Sequence, residues 1–399
     1  MTTPLATRDF PWVPVSLLGW LTIVAYGTWS YAFGVLLEPI KLDTGWPEGL
    51  LVSAFSASSL AGALLAPQAG RLIDRHLMRM VLGVSGLASC GLLLVASTAE
   101  TVVVFAITGA AGGALLSAFA YYHVTQTLAV RLADPADGPR AVGLLTLIGA
   151  FSSTIYLPLT AWFVDDHGWR VTMRFHAVVA AVVLVLTALA LPRPAATSPT
   201  PTRGPSGLMA SERGRRYAVA SAGVGVAVGA VLVYQVPIMV AAGLSLTTAA
   251  WLAGARGVMQ FVGRLPVVWV VGRLGSTRSL QAAFGLLSVG IGILAFSSNP
   301  LIGAGYVVIG GIGIGATSPL QGIHSTTVFA PERLGQGMGT ISLIFGVSLA
   351  LGPLLVSLLN TFASVRWTAP SVGALAAAIA VVALHERSAD PKGIDARNA

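Results

Sequence analysis

The sequence predicts an all-α membrane protein of twelve transmembrane helices arranged as two six-helix, pseudo-symmetric halves. Composition, the number of apolar runs and a repeat between the halves predict it. The 399 residues are 55% hydrophobic and 10% charged, with a mean hydropathy of +0.80, whereas soluble globular domains carry about 25% charged residues. The 46 glycines would weaken helices in water, but in a bilayer glycine lets backbones approach closely. A single cysteine, Cys90, excludes an internal disulfide framework and reads as a small packing hydrophobe.

Runs of about 20 apolar residues are long enough to cross a bilayer. They fall near 13–35, 48–69, 79–98, 101–129, 140–163 and 171–191, then near 217–241, 246–271, 279–297, 301–328, 337–360 and 367–385. The expected organisation is a first half over 1–191, a polar cytoplasmic linker over 192–216, a second half over 217–385 and a tail over 386–399. The linker's Pro, Ser, Thr and Arg content suits a solvated, mobile connection. The first apolar run follows Arg8 and Asp9 without a small-residue cleavage site, so it is expected to be retained as a span.

Basic residues give the expected orientation. With both termini cytoplasmic, the inner loops hold Arg8; Arg71, Arg75, Arg79; Arg131, Arg140; Arg193, Arg203, Arg213, Arg215, Arg216; Arg273, Arg278; Arg333; and Arg387, Lys392, Arg397. These are 17 of the 23 lysines and arginines, and only Lys41, Arg170 and Arg366 fall outside, a bias that fixes topology. The net charge of +8 therefore reports orientation, not nucleic-acid binding. The expected location is the inner cell membrane, multi-pass, with the lipid bilayer as the surrounding medium.

The halves echo each other. GLLTLIGAFSSTIYLPL from Gly143 matches GTISLIFGVSLALGPLL from Gly339, TQTLAV from Thr125 matches STTVFA from Ser325, and GRL recurs at Gly70–Leu72 and Gly272–Leu274. Parallel repeats of six spans imply a pseudo-twofold axis along the membrane normal and a cavity between the halves.

Arg256 and Arg264 lie in the eighth span, where the stretch from Trp251 to Val271 contains no Asp or Glu. An intramembrane charge without a partner is a functional hypothesis. With Gln260 they form an i, i+4, i+8 series, so all three project from nearly one helix face, the two stems about 12 Å apart along the axis. A guanidinium stays protonated, and burying it costs several kcal/mol unless it is solvated or paired. A carboxylate entering a wet cavity supplies that charge, and the planar fork suits bidentate capture. Arg264 can alternatively reach the cytoplasmic interface by snorkelling or cap helix-end carbonyls.

After the second span the sequence reads Gly70-Arg71-Leu72-Ile73-Asp74-Arg75-His76-Leu77-Met78-Arg79. This resembles the G-x-x-x-D-R-x-G-R-R loop motif of the major facilitator superfamily, with Leu77 in place of the second Gly and Met78 in place of the first of the final Arg pair. The resemblance covers the whole chain and implies that family's twelve-helix fold. Gly70, Asp74, Arg75 and Arg79 form a candidate gating motif in which Asp74 caps the next helix and pairs with Arg75 or Arg79; a purely structural turn is the other reading.

Three short stretches, Gly45-Trp46-Pro47-Glu48, Ser30-Tyr31-Ala32-Phe33 and His167-Gly168-Trp169-Arg170, are similar to signatures of the monocarboxylate transporter and oxalate/formate antiporter branch. That resemblance implies that Arg264 binds the substrate carboxylate. The branch's Asp four residues earlier is Gln260 here, and its first-span lysine is Val35, so Arg256 is a candidate second cation. In this superfamily the first, fourth, seventh and tenth spans line the cavity. They carry Tyr26, Ser30 and Tyr31; Tyr121, Tyr122, His123 and Gln126; Tyr234 and Gln235 before a kink expected at Pro237; and Thr317, Gln321 and His324. Arg264, Arg256, Gln260, Tyr26, Tyr31, Tyr122, Gln235 and Gln321 are the candidate substrate-binding residues. His123 and His324 are candidates for a coupling proton, or simply hydrogen-bond their neighbours.

The expected function is secondary active transport of a small organic anion, a monocarboxylate, by alternating access with proton symport or anion exchange. An exporter of drug-like or natural-product metabolites is the alternative. It is disfavoured because Gly149–Pro158 lacks the G-x-x-x-G-P-x-x-G-G pattern and no acid lies deep in a span. No metal or nucleophile constellation and no Gly-x-x-x-x-Gly-Lys loop points to an enzyme or to ATP drive. The expected partners are a small anionic substrate and protons, with no cofactor, no metal and no nucleic acid, acting as a monomer.

Overall fold

A computed structural model describes residues 10–74, 78–134, 137–191, 211–329 and 334–385. The first span is α1 (Trp12–Tyr26), a π-helical turn (Gly27–Tyr31) and α2 (Ala32–Thr44); the second is α3 (Glu48–Asp74) and the third α4 (Met78–Ser97). The fourth is broken into α5 (Val102–Ala120) and α6 (Tyr122–Leu132). The fifth runs from α7 (Gly138–Gly149) into α8 (Ser152–Ala190), which continues as the sixth. In the second half, α9 (Glu212–Ala241) is the seventh span, and α10 (Leu246–Arg264) with the start of α11 (Val267–Leu294) is the eighth. The remainder of α11 is the ninth, followed by α12 (Pro300–Val328), α13 (Leu334–Leu359) and α14 (Val365–Ala383).

Among the described residues, ten helical stretches are long and apolar enough to cross a membrane. One of them, 140–190, holds two crossings, because the helix turns at Gly168, whose φ of 74° only glycine adopts without strain. Gly275, with φ 76°, separates the eighth and ninth spans in the same way. α10 is the twelfth crossing: its two arginines lower its hydropathy but not its length. Loops end in side chains that cap the next helix. Thr101, Ser211, Ser245, Asn299 and Ser364 each accept a backbone N–H of the following first turn. Because Ser211 caps α9, that helix begins at Glu212, inside the stretch expected to be linker.

The surface is apolar and much of the interior is not. Trp20, Trp162, Trp251, Leu301 and Phe362 lie exposed, while Thr22, Thr125, Ser152, Gln235 and Arg256 are buried. Lipid removes the reason to hide large apolar groups, so packing between helices relies on small residues and polar contacts. Thr22 donates to Thr125 at 2.9 Å, Trp29 Nε1 to Ser58 Oγ at 2.7 Å and Ser152 Oγ to the Ile23 carbonyl at 2.8 Å. The halves meet where α8 packs on α10, α3 on α13 and α2 on α9.

Candidate functional site

Two helix irregularities gather tyrosines on the first half. The π turn at Gly27–Tyr31 closes each hydrogen-bonded ring one residue later than an α turn. It thereby brings Tyr26 and Tyr31, five apart, onto neighbouring positions, their ring centroids 6.3 Å apart. In the fourth span Tyr121 is extended (φ −84°, ψ 176°) between α5 and α6, so Tyr121 and Tyr122 both turn towards Tyr26. Tyr26 stacks on Tyr121 at 3.8 Å and 20°, and its ring lies 5.3 Å from that of Tyr122. Ser30 and Tyr121 share a 2.5 Å hydrogen bond, and the Tyr122 hydroxyl nests against Gly149, where a Cβ would come within 2.4 Å. All four rings keep some accessible surface despite this packing.

The second half carries the charge. Arg256 is 3% exposed, and its Nε has no hydrogen-bond partner. Among the described residues no acid forms an ion pair with it or with Arg264. The Tyr306 phenol lies in the field of Arg256 and donates to Gln235 Oε1 at 2.9 Å. That leaves the buried Gln235 Nε2 unpartnered. Gly315 presses on the Gln260 carbonyl, where an added Cβ would sit 2.1 Å from the oxygen, and this close approach of α12 to α10 helps bury Gln260. Arg264 reaches the other way, across the interface between the halves. Its Nη1 donates to the Thr146 carbonyl at 3.2 Å, and the Tyr122 phenol lies in its field.

One end of the molecule is tied shut. Glu48, at the head of α3, accepts from Lys41 Nζ on one oxygen and from Tyr234 Oη and Asn360 Nδ2 on the other, each at 2.9 Å. Lys41 also bonds Glu38 at 2.9 Å, and the Thr368 hydroxyl donates to the Asn360 side-chain oxygen, which orients that amide. Thr247 donates to Asp165 at 2.8 Å nearby. The Val233 carbonyl, four residues before Pro237 and so without its helical donor, lies against Gly34 of α2, where a Cβ would come within 2.8 Å.

The sequence pattern of the Major Facilitator Superfamily matches residues 18–239 and 217–399. The chain belongs to this superfamily. Two crystal structures of the nucleoside transporter NupG superpose with TM-scores of 0.76 and 0.74, at 12% identity over 93% of this chain and 97% of theirs. An inward-facing, unoccupied bacterial homologue of the human lysosomal transporter Spinster gives 0.69 at 12% identity, over 95% of each chain. At such identity the likeness is one of fold. Among curated proteins, uncharacterized MFS-type transporters of Pseudomonas aeruginosa are 32% identical over 137 residues, and the match covers a third of this chain and a third of theirs.

In this transporter the residues singled out in the sequence separate into groups. Tyr26, Tyr31 and Tyr122 come together on one half, and Arg256, Gln235 and Gln260 on the other, while Arg264 bridges between them. Gln321 lies further along α12, its backbone carbonyl taken by the Tyr217 hydroxyl at 2.9 Å. His123 is exposed, with a ring nitrogen 2.9 Å from the Ala118 carbonyl of α5. His324 is buried against Tyr217 at 4.9 Å and pairs with Ser276 at 3.2 Å. It lies 18 residues, about 27 Å of helix, beyond Tyr306. His324 is therefore not brought to Arg256, whereas His123 follows Tyr122, whose phenol lies in the field of Arg264.

Gly70 and Asp74 close α3, but their side-chain surroundings and all of Arg75 lie outside the described residues. Arg79 donates to the Leu191 carbonyl from Nε at 2.9 Å and from Nη2 at 2.5 Å, tying the third span to the end of the sixth. At Pro237 the helix continues unbroken, and the freed Val233 carbonyl lies against Gly34 of the other half. Tyr306 and the Glu48–Asn360 pair were absent from the sequence expectations: a lone tyrosine in a Gly-rich span reads as packing, and Glu48 meets a partner 312 residues away.

Proposed function

We propose that this transporter moves a small organic anion bearing a carboxylate across the cell membrane by alternating access, and that Arg256 is the principal anchor. The observation that carries this reading is a guanidinium almost wholly buried in mid-span with, among the described residues, no acid paired to it and an unpartnered Nε. A substrate carboxylate is the compensating charge, and the fork geometry orients it. Arg264 also contributes to the field, but its Nη1 is engaged by the Thr146 carbonyl, so it links binding to the packing of α10 on α7. This differs in emphasis from the monocarboxylate transporter branch, whose resemblance favours Arg264.

With both termini cytoplasmic, as the basic loops favour, the Glu48 end faces outward and is closed. The halves, 1–191 and 217–385, rock about the site while 192–216 connects them. Coupling is by proton symport or by exchange of anions, and in this reading the protein works as a monomer without cofactor. Uptake of labelled pyruvate and benzoate into proteoliposomes tests the proposal: wild type accumulates at least one of them, and Arg256→Gln abolishes that uptake. Equal uptake by the variant sinks the reading.

A further inference from the structure

We infer that the carboxylate accepted here is an aromatic one, its head on Arg256 and its ring against the cluster of Tyr26, Tyr31 and Tyr122. This rests on the anion reading above and specifies the rest of the ligand. Four tyrosines from two different spans meet on the first half, and each is placed there by a departure from regular helix, not by helical periodicity. The rings are held before any ligand arrives: Tyr121 by Ser30, Tyr26 by stacking on Tyr121, and Tyr122 by the recess over Gly149. Tyr31 lies beside Tyr26, their ring centroids 6.3 Å apart, and within electrostatic range of Tyr121, Tyr122 and Tyr306.

A preformed aromatic wall beside a cation selects for a flat aromatic body on an anionic head, because offset-stacked or edge-to-face ring pairs contribute beyond their buried area. Acids of two or three carbons satisfy the guanidinium and leave the tyrosine faces unmatched. Organic cations could use those faces, but the field of Arg256 and Arg264 repels them. Neutral aromatics gain the wall and leave the buried guanidinium uncompensated.

The test is equilibrium competition on the full-length protein in nanodiscs, with labelled benzoate as probe and acetate, pyruvate, cyclohexanecarboxylate, benzoate and benzyl alcohol as competitors, run alongside direct binding of labelled pyruvate. Benzoate is expected to bind about tenfold more tightly than cyclohexanecarboxylate, which matches it in size and charge, a factor that one good aromatic contact supplies. Tyr31→Leu should remove that preference, while Tyr31→Phe keeps it. Equal binding of benzoate and cyclohexanecarboxylate, with both lost in Arg256→Gln, overturns the aromatic assignment and leaves the anion reading standing. Binding of no carboxylate by a protein whose thermal unfolding is normal overturns both.

Discussion

The hydroxyl of Tyr234 donates to the carboxylate of Glu48 across 2.9 Å, joining the seventh span of one half to the head of the second span of the other. Asn360 and Lys41 converge on the same carboxylate, so a single acid holds together residues from both halves at the closed end. Charge-assisted hydrogen bonds are the strong ones, and the carboxylate keeps 23% side-chain exposure, which leaves it only partly screened.

Replacing that acid should release the closed end. In Glu48→Gln one accepting oxygen becomes a donor NH2, so either the Lys41 bond or the Tyr234 and Asn360 bonds are lost. The rest lose their charge, a weakening of about 1–3 kcal/mol, enough to shift a two-state equilibrium roughly five- to 150-fold. Spin labels at the exposed Leu42 and Phe362, in a Cys90→Ala background, are expected to show a longer distance population in the variant. An unchanged distribution would mean that Glu48 does not hold this end.

Close helix approach gives a second expectation. At Gly315 a Cβ would lie 2.1 Å from the Gln260 carbonyl, whereas at Gly285 nothing lies within 4 Å. Gly315→Ala should therefore lower thermal stability in detergent, at a cost of about 1–3 kcal/mol, and distort the span carrying Arg256. Gly285→Ala should leave the melting temperature unchanged or slightly raised, since Ala is the better helix former. Equal behaviour of the two variants would contradict the packing described.

Arg264 should behave differently from Arg256. Its bond to the Thr146 carbonyl crosses between the halves, so Arg264→Gln is expected to slow transport more than it weakens binding, with substrate affinity changing by less than about threefold. Conformational steps set the turnover of many such cycles. Binding isotherms and initial uptake rates on one preparation separate the two effects; a large loss of affinity with turnover intact would reverse the assignment.

Much of the architecture was readable because lipid imposes a simple rule: a span needs about 20 apolar residues, and charges avoid it unless they serve a purpose. Arg256 and Arg264 stood out on that rule alone. What escaped notice depended on tertiary context. The π turn at Gly27–Tyr31 and the break at Tyr121 leave no mark in hydropathy, yet they turn separate tyrosines into a cluster. Tyr306 looks like any packing aromatic until Gln235 and Arg256 are seen beside it. His123 and His324 invited a proton-coupling role through their residue type, and only the fold reveals that His324 lies far along α12 from the residues beside Arg256.

The most direct measurement is binding of labelled benzoate to purified wild type, Arg256→Gln and Arg256→Lys under identical conditions. Wild type is expected to bind, Arg256→Gln to lose at least about a hundredfold in affinity, and Arg256→Lys to retain part of it, since the point charge survives without the bidentate fork. Wild-type affinity in Arg256→Gln, with folding intact, would contradict the account at its centre.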